Sequence, residues 1–143
     1  MSKVNGLGIT TFSIDDSAGS QQAVKNDITS FTINTPRAIQ DVTGIDKSAM
    51  ERLLLLADCT VGASYVFNDA ATTGIFTVLN NYATLAASQV GRTTTITFSG
   101  SAGAHTLAQE LLYDDFPSNR AASGELTGQV TGRLANGTLA AWS

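Results

Sequence analysis

The chain is poor in the residues on which most active sites depend. Its 143 residues include one cysteine, Cys59, one histidine, His105, and two prolines. A single cysteine excludes an internal disulfide framework, and a single histidine excludes any zinc site that relies on two imidazoles. Catalysis needs a general acid or base, an activated nucleophile or a metal. We therefore expect a protein that acts through its surfaces, with no enzymatic activity, no cofactor and no metal.

Charge is also scarce. Charged residues make up 14% of the chain, whereas 19 threonines and 13 serines supply much of its polarity. Twelve acidic against eight basic residues give a net charge of −4, which opposes tight binding to phosphate backbones. No run approaches the ~20 apolar residues that span a bilayer, and the N-terminus lacks an apolar signal segment. We therefore expect neither a membrane anchor nor tight binding of nucleic acid.

Alternation of apolar and polar residues with period two dominates the sequence and predicts strands with one buried face. The Asn136-Gly137 pair predicts a type I′ hairpin turn before the last strand. The predicted strands cover residues 7–14, 28–35, 59–67, 85–90, 92–99, 105–113, 126–134 and 138–142.

Two short helices are expected among these strands. Ser48 and Glu51 have the spacing of a capping box before an apolar run, which predicts a helix at about 49–55. A second helix begins after Thr72 or Thr73, with Ile75, Val78, Leu79 and Tyr82 on one apolar stripe.

These elements predict a mainly β fold, an antiparallel β-sandwich or barrel with one or two short flanking α-helices. The length predicts a single domain spanning residues 1–143. An extended N-terminal segment is expected at about 1–6, with long loops at about 15–25 and 36–47.

The individual reactive residues have ordinary structural interpretations. Cys59 lies on the apolar face of its predicted strand, where cysteine behaves as a small hydrophobe. His105 is expected to be a strand or turn residue. Asp114 and Asp115, near Glu110, are interpreted as solvated carboxylates at a strand end, because adjacent strand residues point to opposite faces.

The acidic residues are unevenly distributed along the chain. Residues 53–119 contain one basic residue, Arg92, against five acids, which are Asp58, Asp69, Glu110, Asp114 and Asp115. One interpretation is a solvated acidic face. The other is a surface that repels polyanions, because like charges prevent adhesion.

Six features follow one another along the chain: a polar alternating strand at 27–33, a loop at 40–45, a short helix at 48–53, a strand at 59–67, a short helix at 74–80 and a C-terminal hairpin ending at Trp142. This order resembles that of the tail tube (major tail) proteins of long-tailed, non-contractile bacteriophages. The resemblance covers most of the chain in element order, and it includes no diagnostic motif.

The resemblance implies a structural virion protein that assembles into hexameric rings, which stack into a hollow tube for DNA delivery. Expected partners are other copies of the chain, a tape measure protein and a tail terminator protein, with DNA passing without tight binding. The location implied is the virion tail, assembled in the bacterial host cytoplasm. The five acids Glu110, Asp114, Asp115, Asp58 and Asp69 become candidate lumen residues. The candidate inter-subunit and inter-ring residues are Lys3, Val4, Arg37, Ile39, Asp41, Val42, Ile45 and Asp46.

Three other classes remain open at this stage. A capsid decoration or head-tail connector protein is also small, rich in β-structure and without catalytic residues, but it forms trimers or one ring. A small β-sandwich binding module needs a concave patch of exposed aromatic side chains, and aromatic residues make up only 7% of the chain. A hydrolase on a β-scaffold is disfavoured by the single histidine.

Overall fold

The computed structural model describes residues 8–80 and 91–143. The strands are β1 Ile9–Asp15, β2 Gln21–Ala23, β3 Ile28–Asn34, β4 Arg37–Asp41, β5 Arg52–Ala57, β6 Thr60–Val66, β7 Arg92–Gly100, β8 Gly103–Tyr113, β9 Asn119–Arg120 and β10 Leu126–Leu134. One helix, α1, spans Ile75–Leu79, and a 3-10 turn spans Lys25–Asp27. Among the described helices, none is long and apolar enough to cross a membrane.

Eight strands form one antiparallel sheet in the order β2-β1-β7-β8-β10-β6-β3, and β9 pairs with β10 beside that path. The sheet curls until β1, which lies next to the short edge strand β2, approaches β3 at the opposite edge: the rings of Phe12 on β1 and Phe31 on β3 are 5.4 Å apart. Within the described residues β1 and β3 do not pair, so the sheet does not close into a barrel. The predicted mainly β, antiparallel fold with few helices is confirmed.

The core lies inside this curled sheet, and period-two alternation produces it. Alternate residues such as Val61, Ala63 and Tyr65 on β6 are buried, whereas the residues between them are not. Each large apolar side chain that leaves water contributes roughly 1.5–3 kcal/mol. Period two therefore assigns one face of every long strand to the core.

Helix α1 packs on this core through the predicted apolar stripe, because Ile75, Val78 and Leu79 are all buried. Tyr82, assigned to the same stripe, lies outside the described residues. The residue that precedes the helix is Gly74, and neither Thr72 nor Thr73 caps it. The Asp27 carboxylate accepts a hydrogen bond from the Ile75 amide at 3.0 Å, in place of the predicted local cap.

The predicted helix at 49–55 is wrong, because Arg52–Ala57 is strand β5. The Ser48–Glu51 capping box does not form: the Glu51 amide donates to the Thr43 hydroxyl at 2.8 Å. β5 then pairs with β4, which lies where a loop at 36–47 was predicted. Pairing with β4 is therefore more stable than a short helix here, because the consecutive leucines would have pointed to all sides of that helix.

The loop predicted at 15–25 is also shorter than expected. The Asp16 carboxylate accepts hydrogen bonds from the Ala18 and Ser20 amides, both at 2.9 Å, and closes a tight turn. β2 follows this turn and pairs with the end of β1. The predicted strand at 85–90 and the N-terminal segment at 1–6 lie outside the described residues.

The predicted C-terminal hairpin is wrong as well. Asn136 does not adopt the positive φ that a type I′ turn requires, and its side chain accepts from the Thr138 amide at 3.1 Å. The chain continues along β8, where Ser143 and Thr106 exchange two backbone hydrogen bonds. β10 pairs only with Leu111–Tyr113 of β8, which leaves the earlier part of that β8 edge without a described strand partner. The C-terminal segment occupies this edge instead of folding back on β10.

Gly132 and Gly62 give a matched test of this packing. A Cβ at Gly132 would lie 2.9 Å from Leu111 Cδ1, whereas a Cβ at Gly62 meets no atom closer than 3.9 Å. We expect Gly132→Ala to lower the free energy of unfolding by about 1–3 kcal/mol through overpacking. Gly62→Ala should leave it unchanged or raise it by up to about 1 kcal/mol. Urea unfolding measures both, and equal stabilities would contradict the described core.

Candidate assembly interface

β4, β5 and the loop between them form a two-stranded ribbon that is separate from the large sheet. We call residues 37–57 the arm. Its base is closed by a hydrogen bond from the Asp58 amide to the Pro36 carbonyl at 2.9 Å. Above the base, Arg37 pairs with Ala57 in register and its guanidinium donates to the Leu55 carbonyl at 2.6 Å. The arm is therefore a hydrogen-bonded hairpin of its own that projects from the domain.

The tip of the arm is held by hydrogen bonds around Thr43. The Thr43 amide and hydroxyl donate to the Asp41 carboxylate at 2.9 and 2.5 Å. These two bonds, the hydroxyl first, lower the pKa of the Asp41 carboxyl. The Val42 amide donates to the Glu51 carbonyl at 2.9 Å and brings the two ends of the tip together.

The arm is covered with apolar side chains that face solvent. Leu53, Leu54, Leu55 and Leu56 are between 40% and 90% exposed. Successive strand residues point to opposite faces, so both faces of the ribbon are apolar. Of the twelve large hydrophobic residues that are exposed in the described part of the chain, eight belong to the arm: Ile39, Val42, Ile45, Met50 and the four leucines. Exposed apolar patches of this kind mark interaction sites.

The candidate inter-subunit residues are largely brought together here. Arg37, Ile39 and Asp41 lie on β4, and Val42, Ile45 and Asp46 lie in the loop that follows. Lys3 and Val4 are outside the described residues. Sequence reasoning missed the leucines of β5, which it assigned to a helix. The sequence did contain a signal against a helix. Four consecutive leucines would be apolar on all sides of a helix, whereas a surface helix has one buried face.

The candidate lumen acids are dispersed. Asp58 precedes β6 and Asp69 follows it, so these two residues flank opposite ends of a seven-residue strand. Glu110 lies on β8 and accepts a hydrogen bond from the Thr93 hydroxyl. Asp114 forms an exposed ion pair with Arg133 at 3.4 Å, and Asp115 follows it. In the described residues, no group of three or more His, Cys, Asp or Glu could hold a metal ion.

The outward side of the large sheet is rich in hydroxyl groups. Its side chains alternate with the core residues, and some bond to one another: the hydroxyls of Thr97 and Thr106 are 3.0 Å apart. Among the described strands of the sheet, charge on this side is limited to Asp15 on β1, Glu110 on β8, the adjoining Asp114, and Arg133 on β10. We call this surface the outer face; its uncharged positions include Ser30, Thr32, Thr60, Gly62, Ser64, Thr93, Thr95, Thr97, Thr106, Gln129 and Thr131.

Cys59 and His105 have the structural roles expected from the sequence. Cys59 is fully buried, and burial raises the pKa of its thiol, which disfavours the reactive thiolate. His105 lies near the start of β8 and is exposed.

No family model matches this chain, and no curated protein matches its sequence. Solved structures that share its fold include two chains from gene transfer agent particles. One is a chain from the tail of an empty gene transfer agent particle, refined helically with C6 symmetry, with 16% identity and a TM-score of 0.65. The other comes from the virion of a native gene transfer agent particle, with 14% identity and a TM-score of 0.63. Each comparison covers 99% of this chain and 98% of the other.

These two likenesses extend over nearly the whole of each chain, so they concern the complete fold and not one shared motif. The resemblance to phage-type tail proteins, first based on the order of elements, is confirmed at the level of the fold.

The exposed leucines of the arm should be dispensable for folding of the single chain. Replacing Leu54 and Leu56 together by serine should change the free energy of unfolding by no more than about 0.5 kcal/mol per site, because both are exposed. Leu107→Ala in the core should cost about 2–5 kcal/mol. Urea unfolding followed by circular dichroism compares them. A large loss in the arm variant would mean that the leucines stabilise the single chain.

Proposed function

We propose that this chain is a structural subunit of a phage-type virion tail, which assembles as stacked hexameric rings into a hollow tube for DNA delivery. The observation that carries the proposal is the fold shared over 99% of the chain with a subunit of a C6-symmetric tail. The chain acts as a single domain and has no enzymatic activity. Its other partners are a tape measure and a tail terminator protein, and the tail is assembled in the bacterial host cytoplasm.

The arm supports the self-association in this proposal. A two-stranded ribbon is marginally stable in water by itself, and the large sheet covers neither face of this one. Contact with a neighbouring copy would remove Ile39, Val42, Ile45 and the β5 leucines from water at roughly 25 cal/mol per Å² of apolar area. Arg37, Asp41 and Asp46 lie beside these apolar residues and are proposed to orient the contact through their charges.

The outer face is the outward side of the curled sheet within one subunit. Its composition supports a role as the inner wall of the assembled tube. Phosphate backbones adhere to clustered cations. Among the outward positions of the described strands there is one cation, Arg133, and it is paired with Asp114. Asp15 and Glu110 add negative charge to the same face. DNA would therefore meet hydroxyl groups and carboxylates, along which it can slide. Asp58, Asp69 and Asp115 are proposed to border this surface outside the strands.

Assembly is tested by sedimentation velocity and negative-stain electron microscopy over a concentration series. We expect rings with a central hole or tubes of uniform width for the wild type. The paired Leu54→Ser and Leu56→Ser substitutions should leave a folded monomer, whereas Leu112→Ser, which removes an exposed leucine outside the arm, should assemble normally. A wild type that stays monomeric throughout would contradict the proposal, and single rings that never extend would favour a connector.

The bore wall is tested by cysteine labelling of assembled tubes. Thr131→Cys introduces a thiol on the outer face, and the one native cysteine, Cys59, is buried and silent. A small maleimide should label tubes and monomers equally. A polymer-linked maleimide, too bulky to diffuse along the bore, should label monomers but only a small fraction of the subunits in tubes. If the bulky reagent labelled tubes as fully as monomers, the outer face would lie on the outside of the tube, which would contradict the proposed bore wall.

A further inference from the structure

An open apolar groove lies between β1 and β3, where the curled sheet, within the described residues, approaches itself without pairing. Ile9 and Phe12 of β1 form one side, and Ile28 and Phe31 of β3 form the other. The groove has a volume of about 480 Å³ and is open to solvent. We call it the seam.

Both walls of the seam are strands with unpaired backbone edges. Among the described strands, β3 pairs with β6 alone. β1 pairs with β2 only through Ser13–Asp15, which leaves the backbone of its first residues unpaired on that side. Unpaired edges of this kind accept an added strand through main-chain hydrogen bonds. The seam therefore offers backbone partners beside an apolar floor.

The arm has the matching properties. Its β5 strand pairs with β4 along one edge, and no described strand pairs with the other edge. Its leucines are apolar and exposed. Charge is complementary too: the tip, residues 41–51, carries three acids and one base, whereas the described residues lining the seam include one cation, Lys25, and no carboxylate.

We propose that the seam of one copy receives the arm of a second copy, with β5 lying along the free edge of β3 and its leucines entering the groove. This inference rests on the proposed function and names the surface that the arm contacts. The arm and the seam are different parts of the chain, so the contact is heterologous. Heterologous contacts generate rings when the rotation closes, as a C6 assembly requires.

Two variants test this contact in the full-length protein. The arm variant carries Leu54→Ser and Leu56→Ser. The seam variant carries Ile9→Asp and Thr29→Asp, which place a carboxylate on each rim of the groove and so oppose both the apolar leucines and the acidic tip of the arm. Thr10→Asp is the matched control, since Thr10 is an exposed neighbour on β1 that does not line the groove. Circular dichroism and urea unfolding establish that each variant is folded, and Thr29→Asp alone replaces the seam variant if the pair is unstable.

Sedimentation velocity of the variants alone and mixed gives the answer. Each variant alone should stay monomeric, because each lacks one half of the contact. An equimolar mixture should give a heterodimer of twice the monomer mass that does not grow, because it contains one intact arm facing one intact seam. The Thr10→Asp control should assemble as the wild type does.

The outcomes separate this inference from the proposed function. A seam variant that assembles like the wild type, or a mixture that stays monomeric, would overturn the inference while leaving the tail subunit proposal intact. A wild type that never assembles would instead contradict the proposed function.

Discussion

The structure depends on one constraint: four consecutive leucines in an antiparallel ribbon cannot be buried by a single sheet. Strand geometry sends Leu53 and Leu55 to one face and Leu54 and Leu56 to the other, and the described part of the chain covers neither. The hydrophobic effect scales with the apolar area removed from water, so the free chain forgoes this stabilisation. Association with another chain would recover it, and the apolar seam between β1 and β3 provides a surface of the same character.

In the large sheet, period-two alternation separates an apolar face from a polar face. Positions that face inward carry Ile, Leu, Val and aromatic residues, whereas outward positions carry threonine and serine. Threonine is β-branched and suits a pleated strand, and it adds polarity without charge. The sheet can therefore have a hydrated face although only 14% of the residues are charged.

Two polar side chains within the core, those of Tyr113 and Gln109, are hydrogen-bonded to their neighbours. The Tyr113 hydroxyl lies 2.8 Å from that of Thr94, and burial raises the pKa of Tyr113 to about 12. The Gln109 side chain, which is almost fully buried, donates to the Thr138 carbonyl and accepts from the Ala140 amide. A buried amide without partners costs about 1–3 kcal/mol, so Gln109 ties the C-terminal segment to β8.

Period-two alternation was sufficient to predict the long strands β1, β3, β6, β7, β8 and β10, and the stripe of Ile75, Val78 and Leu79 predicted α1. Local signals failed where a tertiary partner competed with them. The Glu51 amide donates to the Thr43 hydroxyl and so cannot complete the predicted capping box. The C-terminal segment pairs with the free edge of β8 and not with β10. The position of the acids could not be predicted either, because it depends on the order of strands in the sheet, which alternation does not encode.

The most direct test of the account is a cryo-electron microscopy reconstruction of the assembled wild-type protein that resolves the leucines of β5. We expect six subunits per ring, with each arm extended onto a neighbouring copy and Leu53 to Leu56 buried there. An assembly in which these leucines remain exposed to solvent, or in which the arm packs against its own sheet, would contradict it.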